Sequence, residues 1–248
     1  MILLNILKKI YSLKGRDVSF RQMKREEHTY AQSIISPQAT YSPWLDDKEF
    51  LSFYNKVKGN TLVDIYRCFE LWSLVKQVSP LKGDFLEIGV WRGGSGCIIS
   101  KMANLTSPKS KIYLCDTFEG IVKASEKHDN MYRGGELDNT SDQIVKDLVL
   151  SLNLNNTEVR KGMFPDDTSA DLVNSQFKFC HIDVDVYEGA KEITEWVWPR
   201  LAKHGMIIYD DFGFKNTQGV TKYVLSMMKE TDRVVFQNIN GHAVVIKY

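Results

Sequence analysis

The stretch FKFCHIDVDVYEG, Phe177 to Gly189, places two aspartates, Asp183 and Asp185, one residue apart behind an apolar run. Alternation along a strand puts residues i and i+2 on one face, so both carboxylates are expected to point the same way. A second acidic pair, Asp210 and Asp211, ends the apolar run of GMIIYDDF. If the two runs are neighbouring parallel strands, four carboxylates meet at one edge of a sheet. Like charges held together are costly unless something positive sits among them. Oxygen donors suit a hard divalent cation, Mg²⁺ or Ca²⁺, and Mg²⁺ keeps open positions for a substrate. Shared ligation by Asp210 and Asp211 requires the chain to turn there, because a continuing strand would send them to opposite faces. The alternative is that some of these acids are solvated or pair with a cation such as Arg92.

A second group of residues lies upstream. EIGVWRGGSG, Glu87 to Gly96, combines an acid with glycines at 89, 93, 94 and 96 behind the run DFLEIGV. Such glycines let the backbone approach a ligand closely and turn into a helix. The spacing is not GxGxxG, the dinucleotide fingerprint, and Glu87 suits a cationic group better than a diphosphate. Asp116 ends the next apolar run, where an acid can bond both hydroxyls of a ribose. A ligand with a ribose and an amino-bearing, positively charged tail is implied, and S-adenosylmethionine fits that description better than NAD.

The elements that must position these residues alternate. Strand-like runs at 84–90, 111–118, 157–164, 178–186 and 205–212 are each followed by helical segments. This order predicts a parallel sheet with helices on both faces, whose ligands bind beyond the carboxyl ends of the strands. RVVFQNI and HAVVIKY flank Asn240-Gly241, a hairpin signal, and predict an antiparallel end to the sheet. Residues 1–79 are expected to form a helical extension or lid packed on a core of 80–248. The segment 119–140 is long, charged and aperiodic; loops of that kind are usually functional, and it is expected to fold over a ligand.

The 248 residues carry 32 Lys and Arg against 31 Asp and Glu, for a net charge of +1. That balance gives no electrostatic footprint for nucleic acid. Four dispersed cysteines, without metal-ligand spacing, are expected to be free thiols in a reducing, cytoplasmic setting. The opening MILLNILKKIYSLKGR is too short and too charged to span a bilayer, and is expected to be an amphipathic helix serving a dimer contact or a lid.

EIGVWRGGS, DTFEG, IDVDVYE and IIYDDFG, in this order, resemble the motifs of the macrocin O-methyltransferase family, with the likeness covering about residues 80–230. The resemblance implies a Rossmann-like class I methyltransferase fold with a mostly parallel seven-stranded sheet and an antiparallel C-terminal hairpin. It implies S-adenosylmethionine and Mg²⁺ as cofactors, and methylation of a sugar hydroxyl on a natural product or glycan. By motif, Glu87, Gly89, Val90, Trp91, Arg92, Gly93, Gly94 and Ser95 would hold the methionine end. Asp116, with Thr117 and Phe118, would hold the ribose, Gly162, Met163 and Phe164 would lie near the adenine, and Ser141 would also meet the cofactor. Asp183, Asp210 and Asp211 would ligate the metal, Asp183 also lying beside the cofactor, and Asp185 or Asp183 would take the acceptor's proton. Val184 departs from a family Gly and would narrow the acceptor pocket. A homodimer is expected. Two other readings remain open: methylation of a catechol or phenol, and a cofactor-binding partner protein without catalysis.

Overall fold

The computed structural model describes residues 39–248. The amphipathic segment at 1–16 lies outside the described residues. Helix α1 (Pro43–Asp46), α2 (Lys48–Val57) and α3 (Ile65–Val78) lead into β1 (Asp84–Ile88) and α4 (Gly94–Thr106). They are followed by β2 (Ile112–Asp116), α5 (Asp142–Ser151), β3 (Thr157–Lys161), β4 (Phe177–Ile182) and α6 (Tyr187–Val197). The chain ends with β5 (Leu201–Tyr209), α7 (Gln218–Ser226), β6 (Arg233–Gln237) and β7 (Ala243–Lys247). Side chains start the helices: Asp47 accepts from Phe50 N, Asp64 from Tyr66 and Arg67 N, and Ser141 from Ile144 N. Each satisfies backbone donors that a first helical turn leaves open.

The seven strands lie in the order β3-β2-β1-β4-β5-β7-β6, parallel from β3 to β5, with β7 antiparallel to both neighbours. The sheet is thus mostly parallel and seven-stranded with an antiparallel C-terminal hairpin, as the motif resemblance implied. Strand alternation divides the core. Phe85, Leu114, Phe179 and Ile208 face α2, α3, α4 and α5, while Leu86, Cys115, Cys180 and Ile207 face α6 and α7. Phe50, Leu71 and Trp72 share the first of these cores, so residues 43–78 complete a face of the sheet. All four cysteines are free and buried. No helix among the described residues is long and apolar enough to cross a membrane.

The hairpin forms, but its turn is longer than the Asn-Gly pair implies: residues 238–242 connect the strands. Asn238 and Asn240 are drawn to Glu70 on α3, which a two-residue turn would not permit. The short helix expected after β3 is a single 3₁₀ turn, Ala170–Leu172.

At the far end of the sheet Lys178 is 2 % exposed, and its Nζ donates to Ser79 O, Leu81 O and Ser107 Oγ. Burial lowers its pKa. Lys178→Met leaves two carbonyls and a hydroxyl without their donor and is expected to cost about 1–3 kcal/mol in urea unfolding.

Candidate active site

Strand register sets the site. Ile88, Cys115, Ile182 and Tyr209 lie in one row across β2, β1, β4 and β5. The next residue of each strand is Gly89, Asp116, Asp183 or Asp210. Ladder-like bonds continue to these residues, from Gly89 N to Cys115 O, Asp183 N to Ile88 O and Asp210 N to Ile182 O. One glycine and three aspartates therefore share the carboxyl edge of the sheet, where the strand order reverses between β1 and β4. A Cβ on Gly89 would collide with Asp183 O, and its φ of 85° is in the left-handed region.

A cavity of about 340 Å³ opens over this edge. Of the residues singled out in the sequence, Gly89, Val90, Trp91, Ser95, Asp116, Thr117, Gly162, Met163 and Phe164 line it, as do Asp183, Asp185, Asp210 and Asp211. Glu87, Arg92, Gly93, Gly94, Phe118 and Ser141 do not line it. Glu87 is fully buried beneath the glycine turn and pairs with His181 Nδ1 at 2.9 Å. Burial pushes its carboxyl upward, with His181 pulling the other way. Gly96 leaves room for Glu87 Oε2, which a Cβ there would strike. Gly93 starts α4 at a φ of 87°, and Gly94 packs against Asn60 and Thr61. Arg92 donates to Asn139 O at 2.9 Å and stacks on Trp91. Phe118 is buried in the core and Ser141 caps α5.

Asp116 organises the turn. Its Oδ2 accepts from Val90 N at 2.6 Å and Trp91 N at 2.9 Å, and its Oδ1 from Phe118 N at 2.7 Å. Trp91 and Phe118 both have positive φ, 49° and 57°, an uncommon conformation for bulky residues that these bonds hold in place.

At the other end of the cavity, carboxylate oxygens of Asp183, Asp185 and Asp211 lie within 4.8 Å of one another. Asp185 and Asp211 have φ of 63° and 65°; the left-handed turns re-aim their side chains toward Asp183. Burial, then the neighbouring carboxylates, pushes Asp183 and Asp211 well above the usual range. Burial and Asp210 push Asp185 up to about 6. Asp211 Oδ2 is buried without a hydrogen-bond partner among the described residues. Such a concentration of unmatched oxygen donors fits a hard divalent cation.

Of the expected set, Asp183 and Asp211 thus share this cluster with Asp185, while Asp210 lies in a second group with His181 and His242. Asp210 turns the other way, onto Arg67 of α3 and His242 of the hairpin turn. Burial raises its pKa, but the bond and charge of His242, with Arg67, hold it below the usual carboxylate range. Arg67 also bonds Asp64, and His242 Nδ1 bonds Glu70 at 2.8 Å. Burial opposes protonation of His242, yet its two carboxylate partners raise its pKa. Arg67 and His242 were not legible as site residues. One is a cation in an apolar helix and the other follows a turn, and only folding brings them to Asp210.

Tyr132, from the 119–140 segment, also lines the cavity that Asp185 faces. Burial, then Asp185 and Asp211, raises its pKa. Val184 lines the cavity as well, beside Gly89 and Gly189.

The family model for Macrocin-O-methyltransferase (TylF) matches residues 54–244. The chain belongs to this family. The matched span takes in every residue lining the cavity, from Thr61 to Thr217. The chain is 25% identical over 170 residues to 8-demethyl-8-(2,3-dimethoxy-α-L-rhamnosyl)-tetracenomycin-C 4'-O-methyltransferase of Streptomyces olivaceus. It is 23% identical over 165 residues to demethyldecarbamoylnovobiocin O-methyltransferase of Streptomyces niveus. Each match takes in 62% of this chain and spans 63% of the relative's length. The crystal structure of CalS11, a calicheamicin methyltransferase, superimposes with a TM-score of 0.65 at 13% identity, over 88% of this chain and 99% of that one.

Proposed function

We propose that this chain transfers a methyl group from S-adenosylmethionine to a hydroxyl of a sugar on a natural product or glycan, with Mg²⁺ as a second cofactor. The observation that carries the reading is one cavity with two chemically different ends, the Asp116-braced glycine turn and the Asp183–Asp185–Asp211 cluster. A sugar acceptor is supported by family membership and by the Streptomyces olivaceus relative, whose name describes a rhamnosyl substrate.

In this mechanism the turn around Gly89 to Ser95 holds the methionine end and Asp116 the ribose. Gly162 to Phe164 border the adenine. Asp183 and Asp211 would hold the divalent cation, leaving Asp185 of the same cluster free, and the cation would lower the pKa of a hydroxyl beside it. Asp185 takes the acceptor's proton: burial places its pKa nearer neutrality than that of an ordinary aspartate, which makes it a better base. Direct transfer from sulfur to oxygen needs the two reacting atoms held in line, and one cavity lined by both ends supports that reading.

The test is calorimetry with S-adenosylmethionine in Mg²⁺ and in EDTA, followed by mass spectrometry of a panel of rhamnosides, other vicinal-diol glycosides and catechols. Binding with a mass gain of one methyl on a glycoside supports the proposal. Transfer to catechols alone would replace the sugar by a phenol, and binding with no transfer would leave a partner protein. No binding in either buffer would sink the methyltransferase reading. Asp116→Ala releases three backbone amides and is expected to weaken S-adenosylmethionine binding at least about tenfold, since each lost charge-assisted bond is worth about 1.5–3 kcal/mol. The same calorimetry measures it.

A further inference from the structure

Asp129 belongs to the 119–140 segment, which carries no helix or strand, yet it is only 5 % exposed. Its Oδ1 accepts from Tyr187 N at 3.0 Å, and its Oδ2 from Ser125 N at 2.9 Å. Tyr187 opens α6, whose own N-cap residue, Val186, supplies no side-chain bond. The loop thus caps a helix to which it is not connected. Gly219, in the first turn of α7, faces the same carboxylate, and a Cβ there would overlap Asp129 Oδ1. One anion therefore sits at two helix N-termini, each the positive end of its helix. These two helices directly follow the chain segments bearing Asp183–Asp185 and Asp210–Asp211.

Neighbours reinforce the seat. His128 stacks on Tyr187 at 4.1 Å between ring centres, and Asn130 Nδ2 donates to Lys215 O at 2.7 Å. Lys123 pairs with Glu192 on α6. The other end of the segment is tied to the glycine turn, where Asn139 Oδ1 accepts from Trp91 Nε1 at 2.8 Å. Three residues after Asp129, Tyr132 lines the cavity together with Asp185.

We infer that Asp129 is a positioning residue: its seat between the N-termini of α6 and α7 latches the 119–140 segment over the acceptor end of the cavity and holds Tyr132 on the wall that Asp185 shares. The inference deepens the methyltransferase reading and rests on it for its catalytic consequence, whereas the latch itself is tested without any substrate.

The segment offers trypsin Lys123, Lys127 and Arg133. Under native conditions Asp129→Ala and Gly219→Ala are each expected to speed cleavage at these sites about fivefold to tenfold, the effect of losing a cap. The first removes the carboxylate. The second blocks its seat while leaving a residue that favours helix. The double variant is expected to be cleaved no faster than Asp129→Ala, because both changes break one contact. Tyr132→Phe is expected to keep wild-type protection. Wild-type cleavage rates in both single variants, additive effects, or cuts outside 119–140 rising in parallel would overturn the latch.

With p-nitrophenyl α-L-rhamnoside as acceptor, Asp129→Ala and Tyr132→Phe are both expected to lower kcat about tenfold. The KM for S-adenosylmethionine is expected to stay within about threefold of wild type, well under the change in kcat. A loss confined to the KM for S-adenosylmethionine would overturn the positioning role. If wild type binds no S-adenosylmethionine, the methyltransferase reading fails while the cleavage comparison still decides the latch.

Discussion

Asp211→Asn is expected to stabilise the metal-free protein and to abolish its response to Mg²⁺. In EDTA the wild-type chain holds three mutually repelling, half-buried carboxylates within 4.8 Å, and Asp211 itself is raised well above the usual range. Removing one charge relieves that repulsion, for a gain on the order of 1–3 kcal/mol. With Mg²⁺ in excess the order inverts. Wild type gains stability by mass action as the cation binds only the folded state, and the variant, short of one anionic donor, gains little. Methyl transfer is expected to fall by about 10²–10³-fold, equivalent to roughly 3–4 kcal/mol of barrier. Thermal melts of both proteins across a Mg²⁺ series measure the crossing. Parallel responses to Mg²⁺ would remove the cation from this cluster.

The pH dependence has a definite sign. A carboxyl whose folded pKa exceeds its unfolded value binds more protons in the folded state, so stability falls as pH rises between the two values. For Asp185 that window runs from about 4 to about 6, and Asp183 and Asp211 extend it upward. Metal-free protein is expected to gain stability as pH drops from 7 toward 5, and Mg²⁺ affinity to fall over the same range as protons compete for the oxygens.

Arg67→Met is expected to cost about 3–5 kcal/mol in denaturant unfolding, the range for stripping one partner from a buried ion pair. Arg67 is 8 % exposed, bonds both Asp64 and Asp210, and stacks on Phe214 at 5.1 Å. Its loss leaves the buried Asp210 to the histidines His242 and His181. Arg67→Lys restores the charge but not the fork that spans two carboxylates, and is expected to recover only part of the loss. Here the sign is opposite to that of the cluster. Asp210 is held below the usual range, so its contribution is present above about pH 4 and is lost as pH falls through its lower folded pKa. Unfolding free energy followed against pH is expected to show a shallower acid-side decline in Arg67→Met. A cost below about 1 kcal/mol would mean that Asp210 needs no cation from α3.

The fold was readable because its signals are local. Near-continuous apolar runs mark strands covered on both faces, the segments between them have helical period, and glycines fall where a strand must turn beneath a ligand. The same locality exposed Gly89, Asp116, Asp183 and the DD pair as strand-end residues. Register then places Gly89, Asp116, Asp183 and Asp210 in one row, which the sequence implies only through its alternation.

Direction was not readable. Asp210 and Asp211 are adjacent and chemically identical, yet one is neutralised by Arg67 and His242 while the other joins Asp183 and Asp185. The left-handed turns at Asp185 and Asp211 make that choice, and non-glycine residues give no local warning of them. Arg67 lies 143 residues from its partner. Tyr132 and Asp129 sit in a segment whose lack of period marked it as a loop but gave no hint of what it touches. By itself the sequence determined which acids and glycines gather, and at which end of the sheet. The tertiary structure alone decided which carboxylates repel, which are paired, and what closes over them. Those outcomes depend on side-chain direction and on contacts between distant segments, neither of which is encoded in spacing along the chain.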